Sequence, residues 1–218
     1  LIIGALGQLG SEIAFECRRR YGDDNVVLAD NRKSGNHELI EGGPFYLVDA
    51  RDGQELERIV RHHHIDTIYH LAALLSARAE SNPLEAWNVN INGLIAVLEV
   101  AKNNHCALFV PSSIGAFGPT TPKKFTPQDT IQRPTSIYGV TKVSGELLCD
   151  YYHHRWDVDT RGIRFPGIIS NLTPPGGGTT DYAVEIYYEA VRNQHYTCFL
   201  RGDTYLDMIY MPDAVDAA

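Results

Sequence analysis

The stretch "LIIGALGQLG" (residues 1–10) runs from apolar residues directly into a glycine-rich turn. The three glycines of this turn are Gly4, Gly7 and Gly10. Residues 1–3 predict a buried strand, and residues 11–22 predict a helix. Between a strand and a helix, such glycines let the backbone approach a pyrophosphate, whose charge the helix N-terminus stabilises. The alternative for the three glycines alone is a tight turn that binds nothing.

The rest of the chain alternates short apolar runs with longer amphipathic stretches. Further strands are expected at residues 25–30, 44–50, 66–73, 106–113 and 159–165. Further helices are expected at residues 52–64, where Asp52 would be the N-cap, and at 83–104, 136–155 and 181–193. Apolar strands that alternate with helices require a parallel sheet covered on both faces. We therefore predict an α/β fold, a Rossmann doubly wound parallel sheet.

The composition restricts the class of partner. The chain has 218 residues, of which 44% are hydrophobic and 21% charged, as in an ordinary globular protein. Its formal net charge of -8 argues against nucleic acid or an anionic membrane as the main partner. No apolar run is long enough to cross a bilayer, and no signal or transit peptide is visible. A cytoplasmic location is expected, and the family resemblance given below implies the mitochondrial matrix instead if the source is an animal.

The cysteines and histidines do not predict a metal site. The four cysteines lie far apart in the sequence and form no C-x-x-C pair, which favours free thiols. Histidines run together at residues 62–64 and 153–154. Because neighbouring residues of a helix point in different directions, consecutive histidines are poor joint ligands. We expect no metal.

Three strand ends have the residues that a dinucleotide site needs. Asp30 lies 20 residues after Gly10, where an acid would bind the adenosine ribose hydroxyls and repel a 2′-phosphate. NAD is therefore expected, although Arg32 nearby leaves NADP as the alternative. Asp49 could bond the adenine amino group, and the small residues of "HLAA" (70–73) would let the backbone pass close to the cofactor. The alternative for the last two segments is an ordinary strand terminus.

The pentapeptide "YGVTK" (138–142) places a phenol four residues ahead of an ammonium. On a helix, Tyr138 and Lys142 would lie on one face. An ammonium beside a phenol favours the phenolate, which would supply a general base. The alternative is an ordinary tyrosine and lysine on the surface of an amphipathic helix.

The combination G-x-x-G-x-x-G with a later Y-x-x-x-K resembles the short-chain dehydrogenase/reductase superfamily. The segments "HLAA", "NVNINGL" (88–94) and "RFPGI" (164–168) are similar to its extended branch, which includes nucleotide-sugar epimerases and dehydratases. The resemblance implies an NAD-binding Rossmann domain over residues 1–169. It also implies a small substrate lobe, interleaved with that domain, of which residues 170–218 would be one part.

Within this branch, "VPSSIGAFGPTTP" (110–122) and "PPGGGTTDYAVEIY" (174–187) resemble the short-chain family of NAD-dependent L-threonine 3-dehydrogenases. The chain departs from that family at Ile3, where threonine is usual, at Ala79, where glycine is usual, and at Asp207, where proline is usual. Members of the family also continue further in sequence, so the substrate lobe is expected here only in part.

The resemblance implies roles for individual residues. Tyr138 would remove the proton from the substrate hydroxyl, and Lys142 would hold the nicotinamide ribose and favour the phenolate. Ser113 would bond the reacting oxygen, with Ser112 as a lesser candidate. Asn90 would support the lysine.

Two larger sets of residues follow from the same resemblance and the strand-end pattern. The predicted cofactor-binding residues are Gly4, Gly7, Gln8, Leu9, Gly10, Asp30, Asn31, Arg32, Asp49, Ala50, Leu71, Ala72, Ala73, Asn90, Ser112, Tyr138, Lys142, Phe165, Pro166 and Ile168. The predicted substrate-binding residues are Ser76, Ser113, Tyr138, Gly178, Thr179 and Thr180. A homodimer that pairs through helices 83–104 and 136–155 is also implied.

Three functions remain open at this point. The first is NAD-dependent oxidation of L-threonine to 2-amino-3-oxobutyrate, and the second is epimerisation of a nucleotide sugar with tightly bound NAD. The third is a non-catalytic NAD-binding or redox-sensing protein, although such a protein needs none of Tyr138, Lys142 and Ser113. A sugar-nucleotide dehydratase would need an Asp-Glu pair after Ser113, where this chain has Ile114 and Gly115.

Overall fold

The computed structural model describes residues 1–33, 36–170, 172, 176, 178 and 180–218. The strands of these residues are β1 Ile2–Ile3, β2 Leu28–Asp30, β3 Phe45–Leu47, β4 Thr67–His70, β5 Ala107–Phe109, β6 Ser112–Ser113, β7 Thr160–Arg161, β8 Arg164–Phe165, β9 Gly167–Ile169 and β10 Met208–Tyr210. Six of them form one parallel sheet in the order β3-β2-β1-β4-β5-β7. Two small parallel pairs, β6 with β8 and β9 with β10, lie beside it. The predicted α/β doubly wound fold is confirmed.

The α-helices of the described residues are α1 Gln8–Tyr21, α2 His37–Glu41, α3 Gly53–His62, α4 Ser76–Ser81, α5 Pro83–Trp87, α6 Gly93–Asn104, α7 Ile137–Trp156, α8 Tyr182–Asn193 and α9 Met211–Ala217. The predicted N-cap of α3 is confirmed, because the Asp52 side chain accepts the amide of Glu55 at 3.1 Å. Ser136 caps α7 in the same way, through the amide of Gly139. The short helices α2 and α4 were not predicted, because each spans only two turns or fewer.

The sheet is buried on both faces. Ile3, Val27 and Ala29 belong to one apolar cluster, which they share with residues of α3 and α6. Ile2 and Leu28, which alternate with them along the same strands, belong to a second cluster under α1 and α2. Side chains point to opposite faces in turn along a strand, so this alternation places helices on both sides.

The predicted strands 106–113 and 159–165 are each interrupted in the middle. Pro111, which lies between β5 and β6, has no amide hydrogen to donate, so it interrupts their pairing with β7 and β8. On the opposite strand, Gly162 lies so close to Val110 that an added Cβ would be 2.7 Å from the carbonyl oxygen. Pairing resumes beyond the break, where the Ser112 amide donates to the Ile163 carbonyl at 2.8 Å. The interruption detaches the β6–β8 pair from the main sheet.

The predicted helix 83–104 contains a π-helical turn at Asn88–Asn92, between α5 and α6. A π-helical turn inserts one extra residue into the helical repeat and often lies at a functional site. Here the turn contains Asn90, whose side chain leaves the helix to contact two other elements of the protein.

Gly4 and Gly10 of the glycine-rich turn have no space for a side chain. Gly4 has a φ of +83°, and an added Cβ would lie 2.6 Å from the amide nitrogen of Ala72 at the end of β4. An added Cβ on Gly10 would lie 2.2 Å from the carbonyl oxygen of Gly4. Glycine at position 10 therefore permits the close approach of α1 to the end of β1, and glycine at position 4 permits the close approach of β1 to the residues after β4.

We expect Gly4→Ala to lower the free energy of unfolding by roughly 3 kcal/mol or more, because backbone strain adds to overlap with Ala72. Gly22, whose φ is +86° with no atom within 4 Å of an added Cβ, isolates the strain alone. Gly22→Ala should therefore cost only about 1–3 kcal/mol. Gly202→Ala, which has open space and no positive φ, is the control. Urea denaturation measures all three, and equal losses for Gly4→Ala and Gly22→Ala would contradict the packing.

Candidate active site

The candidate site lies along the carboxyl edge of the main sheet. Because every strand of this sheet is parallel, all the carboxyl ends lie along the same edge. The strand order reverses between β1 and β4, and in open α/β sheets ligands bind in the crevice at such a reversal. Gly4 at the end of β1 and Ala72 after β4 are the residues that meet there.

The turn between β1 and α1 fits the pyrophosphate end of a dinucleotide. Among the described residues, no side chain caps the first turn of α1, whose N-cap is Gly7, so the predicted residues Gln8 and Leu9 lie in an uncapped turn. Amides of an uncapped first turn are donors for an anion. The residues present therefore fit the dinucleotide that the glycine spacing predicts.

The Asp30 carboxylate is buried beneath this turn. One oxygen accepts the amide of Leu6 at 2.9 Å and the other accepts the amide of Arg32 at 3.2 Å. The Arg32 guanidinium donates to the Leu6 carbonyl at 3.0 Å, and Asn31 between them is exposed. Asp30 thus lies next to the glycine turn, at the position where the sequence places a ribose-binding acid.

Asp49 lies at the surface and is paired with Arg51. The guanidinium donates to both carboxylate oxygens, at 2.9 and 2.7 Å, and also to Glu85 at 3.1 Å. The hydrogen bonds from Arg51 lower the pKa of Asp49 below its usual value. Ala50 differs, because it is buried and an added Cβ on Gly93 would touch its side chain. Contact between Asp49 and adenine stays a prediction.

Tyr138, Lys142 and Ser113 come together at the start of α7. An added Cβ on Gly115 would lie 3.2 Å from two ring carbons of Tyr138 and 3.3 Å from Ser113 Oγ. Both side chains therefore border the same small space. One turn along the helix, Lys142 Nζ lies 5.5 Å from the centre of the Tyr138 ring and donates to the Pro111 carbonyl at 2.7 Å.

Asn90 connects the loop after β4 to α7. Its side-chain oxygen accepts the Leu74 amide at 2.8 Å, and its nitrogen donates to the Leu74 carbonyl at 3.1 Å. The same nitrogen donates to Thr141 Oγ1 at 3.1 Å, and that hydroxyl donates to the Tyr138 carbonyl at 2.8 Å. Asn90 therefore reaches the lysine side of the site through Thr141, the residue before Lys142.

The side chains of Ser112 and Ser113 have different hydrogen-bond partners. The Ser112 hydroxyl donates to Glu146 on α7, whereas Ser113 Oγ accepts the Gly115 amide at 3.0 Å and lies by Tyr138. This difference follows from the alternation of side chains along a strand. The sequence analysis missed Glu146, although Tyr138, Lys142 and Glu146 are spaced four residues apart on one helix.

The sequence analysis also missed His70, the last residue of β4. It lines a cavity of about 570 Å³ between α7 and the sheet, which Lys142 and Asn90 also line. His70 is 4% exposed, and its Nδ1 has no hydrogen-bond partner among the residues that the structure describes. Burial lowers the pKa of His70 to about 4, and the charge of Lys142 contributes. The sequence did contain a signal for this residue, because a histidine at the end of an apolar strand is expected to be buried and neutral.

The residues predicted to line the nicotinamide, Phe165, Pro166 and Ile168, pack against neighbouring parts of the protein. Phe165 is buried against Phe109 and Ala214, and Ile168 packs against the same cluster. Pro166 lies between them and is partly buried. Gly167 permits a close approach by Thr180, because an added Cβ would lie 2.6 Å from the threonine methyl carbon.

The predicted substrate-binding segment lies near the start of α4. An added Cβ on Gly176 would lie 3.4 Å from the Leu75 side chain, which precedes Ser76. The Gly178 amide donates to Asp181 at 2.8 Å, just before α8. Thr179, also predicted to bind substrate, lies outside the described residues. Gly176, two residues before Gly178, thus lies against the residue that precedes Ser76.

Neither a metal cluster nor a membrane span is found in the described part of the chain. No group of three or more His, Cys, Asp or Glu side chains there could hold a metal ion. His63 of the first histidine run instead bonds the Tyr46 hydroxyl at 2.7 Å. No helix there combines the length and apolar character that crossing a bilayer requires.

A family model described as the NAD dependent epimerase/dehydratase family matches residues 1–218. An uncharacterized epimerase/dehydratase of Staphylococcus haemolyticus is 54% identical over 217 residues, which are 100% of this chain and 68% of the relative.

The chain is also similar to solved structures of L-threonine dehydrogenases. The enzyme from Clostridium difficile is 56% identical with a TM-score of 0.95, over 99% of this chain and 68% of that chain. A monomeric L-threonine 3-dehydrogenase from a metagenome is 45% identical with a TM-score of 0.94, over 99% of this chain and 69% of that chain. The chain is therefore shorter than its relatives.

The buried His70 should make stability depend on pH. The unfolded chain binds a proton at His70 near pH 6.5, whereas the folded chain binds it only near pH 4. The unfolded state therefore takes up more protons in this window, so the free energy of unfolding falls as the pH drops from about 6.5 toward 4. Between pH 7.5 and 5, His70 should contribute a loss of about 2 kcal/mol.

Urea denaturation of wild type and His70→Gln at these two pH values tests this contribution. The variant should lose about 2 kcal/mol less than wild type between pH 7.5 and 5. The exposed His62, changed to Gln, is the matched control. Parallel losses in wild type and His70→Gln would show that the folded protein protonates His70 without penalty.

Proposed function

The chain belongs to the NAD-dependent epimerase/dehydratase family, and we propose that it oxidises the 3-hydroxyl of L-threonine to 2-amino-3-oxobutyrate. NAD is the cofactor of this family, and the glycine turn with Asp30 fits it. The similarity to solved L-threonine dehydrogenases supports the choice of reaction. Because the chain covers 68% of these relatives, the proposal concerns the protein that contains this site.

The main observation in support is the shared space beside Gly115. Tyr138 and Ser113 border it from two different elements, and Lys142 lies one turn further along α7. The proposal places a secondary alcohol beside these two side chains, with its oxygen bonded to both hydroxyl groups. Alcohol oxidation needs this arrangement, because the oxygen must lose a proton while the carbon loses a hydride.

Each residue then has one task. Ser113 donates a hydrogen bond that orients the substrate oxygen, and Tyr138 accepts the proton from that oxygen. Lys142, fixed by the Pro111 carbonyl, places a positive charge near the phenol. Bound NAD supplies the hydride acceptor. General-base catalysis of this kind typically contributes about 10²–10⁴-fold to the rate.

The segment around Gly178 suits a small substrate with two opposite charges. The hydroxyls of Ser76 and Thr180 are donors for a carboxylate. Thr180 packs on Gly167, directly after the strand predicted to line the nicotinamide. Thr180 would thereby help to hold the amino acid next to the cofactor.

Epimerisation of a nucleotide sugar is the second candidate. The description of the family covers epimerases, and such enzymes need the same base and the same cofactor. The two reactions differ in their net chemistry, since an epimerase returns the hydride to its substrate and releases no NADH. A non-catalytic NAD-binding protein is the third candidate and would turn over neither substrate.

We also propose that the protein forms a homodimer in the cytoplasm. Val140, Leu147 and Tyr151 are exposed along one side of α7, and Leu84 and Trp87 are exposed on α5, which packs beside it. Apolar residues grouped on neighbouring helices are typical of an interface. One solved relative is described as monomeric, so sedimentation of this protein is the test.

The proposal predicts threonine-dependent formation of NADH, measured by absorbance, and none with UDP-galactose. Tyr138→Phe should lower turnover by about 10²-fold or more, because it removes the base. Its Kd for NAD should stay nearly unchanged. Lys142→Ala should weaken both turnover and NAD binding. Tyr151→Phe, an exposed tyrosine of the same helix, is the matched control.

Loss of NAD binding in Tyr138→Phe, with the fold intact, would contradict the role of this residue. Interconversion of UDP-sugars without NADH release would instead establish the epimerase. Absence of any turnover has two sources, a wrong substrate or an incomplete substrate lobe. Repeating the assay with a C-terminally extended version of the chain separates them.

A further inference from the structure

Glu146 binds side chains from three other segments of the protein. It lies on α7, two turns after Tyr138 and one turn after Lys142. Its carboxylate accepts the Ser112 hydroxyl of β6, Gln132 Nε2 at 2.8 Å, and Arg164 of β8 through Nε at 3.0 Å and Nη2 at 2.8 Å. Four donors around one carboxylate fix its position in all directions.

Two of these donors are directly paired residues of the small β6–β8 sheet. Ser112 pairs with Arg164, and the next pair in the same register is Ser113 with Phe165. The residues that Glu146 holds are thus the immediate neighbours of Ser113, which is predicted to bind the substrate, and of Phe165, which is predicted to contact the nicotinamide. The break at Pro111 leaves this pair separate from the main sheet, so its position depends on its side-chain contacts.

The ion pair between Glu146 and Arg164 is well shielded. Their side chains are 19% and 21% exposed, respectively. Burial alone would raise the pKa of the Glu146 carboxyl, but the bonds from Arg164, Ser112 and Gln132 hold it below its usual value. Arg164 is fixed on its other side, where it donates to the Gln128 carbonyl at 3.0 Å and lies over the Phe117 ring. A bidentate pair of this kind is directional as well as strong.

We propose that Glu146 is a positioning residue that sets the distance between Tyr138 on α7 and Ser113 on β6. The proposal rests on the proposed function, in which both side chains act on one substrate oxygen. Glu146 touches neither substrate nor cofactor in this account. It acts through Ser112 and Arg164, which hold the strand pair against the helix that carries the base. Displacement of a reacting group by about 1 Å can cost about 10²-fold in rate.

Glu146→Gln tests the proposal, because glutamine keeps the size of the side chain but presents an NH₂ group to surrounding donors. We expect kcat for threonine oxidation to fall by about 10- to 100-fold. The Kd for NAD should change much less than kcat, because the glycine turn and Asp30, which would hold the other end of the cofactor, lie across the sheet reversal from Glu146. Arg164→Lys, which keeps the charge but loses the fork, should show a smaller fall in kcat.

Glu99→Gln is the matched control. Glu99 accepts the Tyr152 hydroxyl of α7 at 2.6 Å and Lys102 at 2.5 Å, so it also fixes α7 through a carboxylate. It contacts neither β6 nor β8 in these bonds. A purely structural role for Glu146 predicts that the two variants lose kcat in proportion to their loss of Tm. A positioning role predicts a much larger fall in kcat for Glu146→Gln at equal Tm.

A second measurement does not need turnover. Hydrogen exchange of segments 110–117 and 161–168 should rise in Glu146→Gln and stay unchanged in Glu99→Gln, since the Ser112 amide bonds Ile163 across this strand pair. Unchanged exchange would overturn the proposal. Raised exchange with a kcat no lower than that of Glu99→Gln would overturn it equally. If wild type oxidises no threonine, the proposed function fails, and exchange still decides whether Glu146 holds the strands.

Discussion

The first turn of α7 packs against the backbone that follows Ser113 so closely that no side chain fits between them. An added Cβ on Gly139 would lie 2.2 Å from the Gly115 carbonyl oxygen, and one on Gly115 would press on the Tyr138 ring. This contact between backbones therefore fixes the first turn of α7 against the residues that follow Ser113, and the Glu146 contacts act on the strand pair beyond it. Such a contact varies far less than one between long flexible side chains, and catalysis depends on this kind of preorganisation.

Three later residues of α7 add contacts between this helix and the rest of the protein. Thr141 accepts a hydrogen bond from Asn90 of the π-helical turn, and Lys142 donates to the Pro111 carbonyl. Glu146 accepts hydrogen bonds from Ser112 and Arg164. The helix is thereby joined to the loop after β4, to the break in β5–β6 and to the β6–β8 pair. One helix thus determines where the base, the ammonium and the serine strand lie relative to the edge of the sheet.

Local patterns predicted most of the fold. The glycine turn, the Asp52 cap and the paired Tyr138 and Lys142 are short-range signals, and the structure has each of them in place. A proline at position 111 is visible in the sequence. That it separates the β6–β8 pair from the main sheet depends on pairing with residues about fifty positions away, which the sequence does not reveal. Thr141 lies 51 positions from Asn90, and Arg164 lies 18 positions from Glu146, so local spacing alone could not identify these partners. The division at residue 169 and the roles of the site residues stay predictions.

The central claim is that Tyr138 and Ser113 act on the same substrate oxygen. A crystal structure of the protein with NAD and L-threonine tests it most directly. The account predicts that Tyr138 Oη and Ser113 Oγ both lie within about 2.6–3.2 Å of the threonine 3-hydroxyl oxygen. It also predicts that C3 of threonine faces the nicotinamide ring. A threonine bound with its hydroxyl away from Tyr138, or with Ser113 turned elsewhere, would contradict the account.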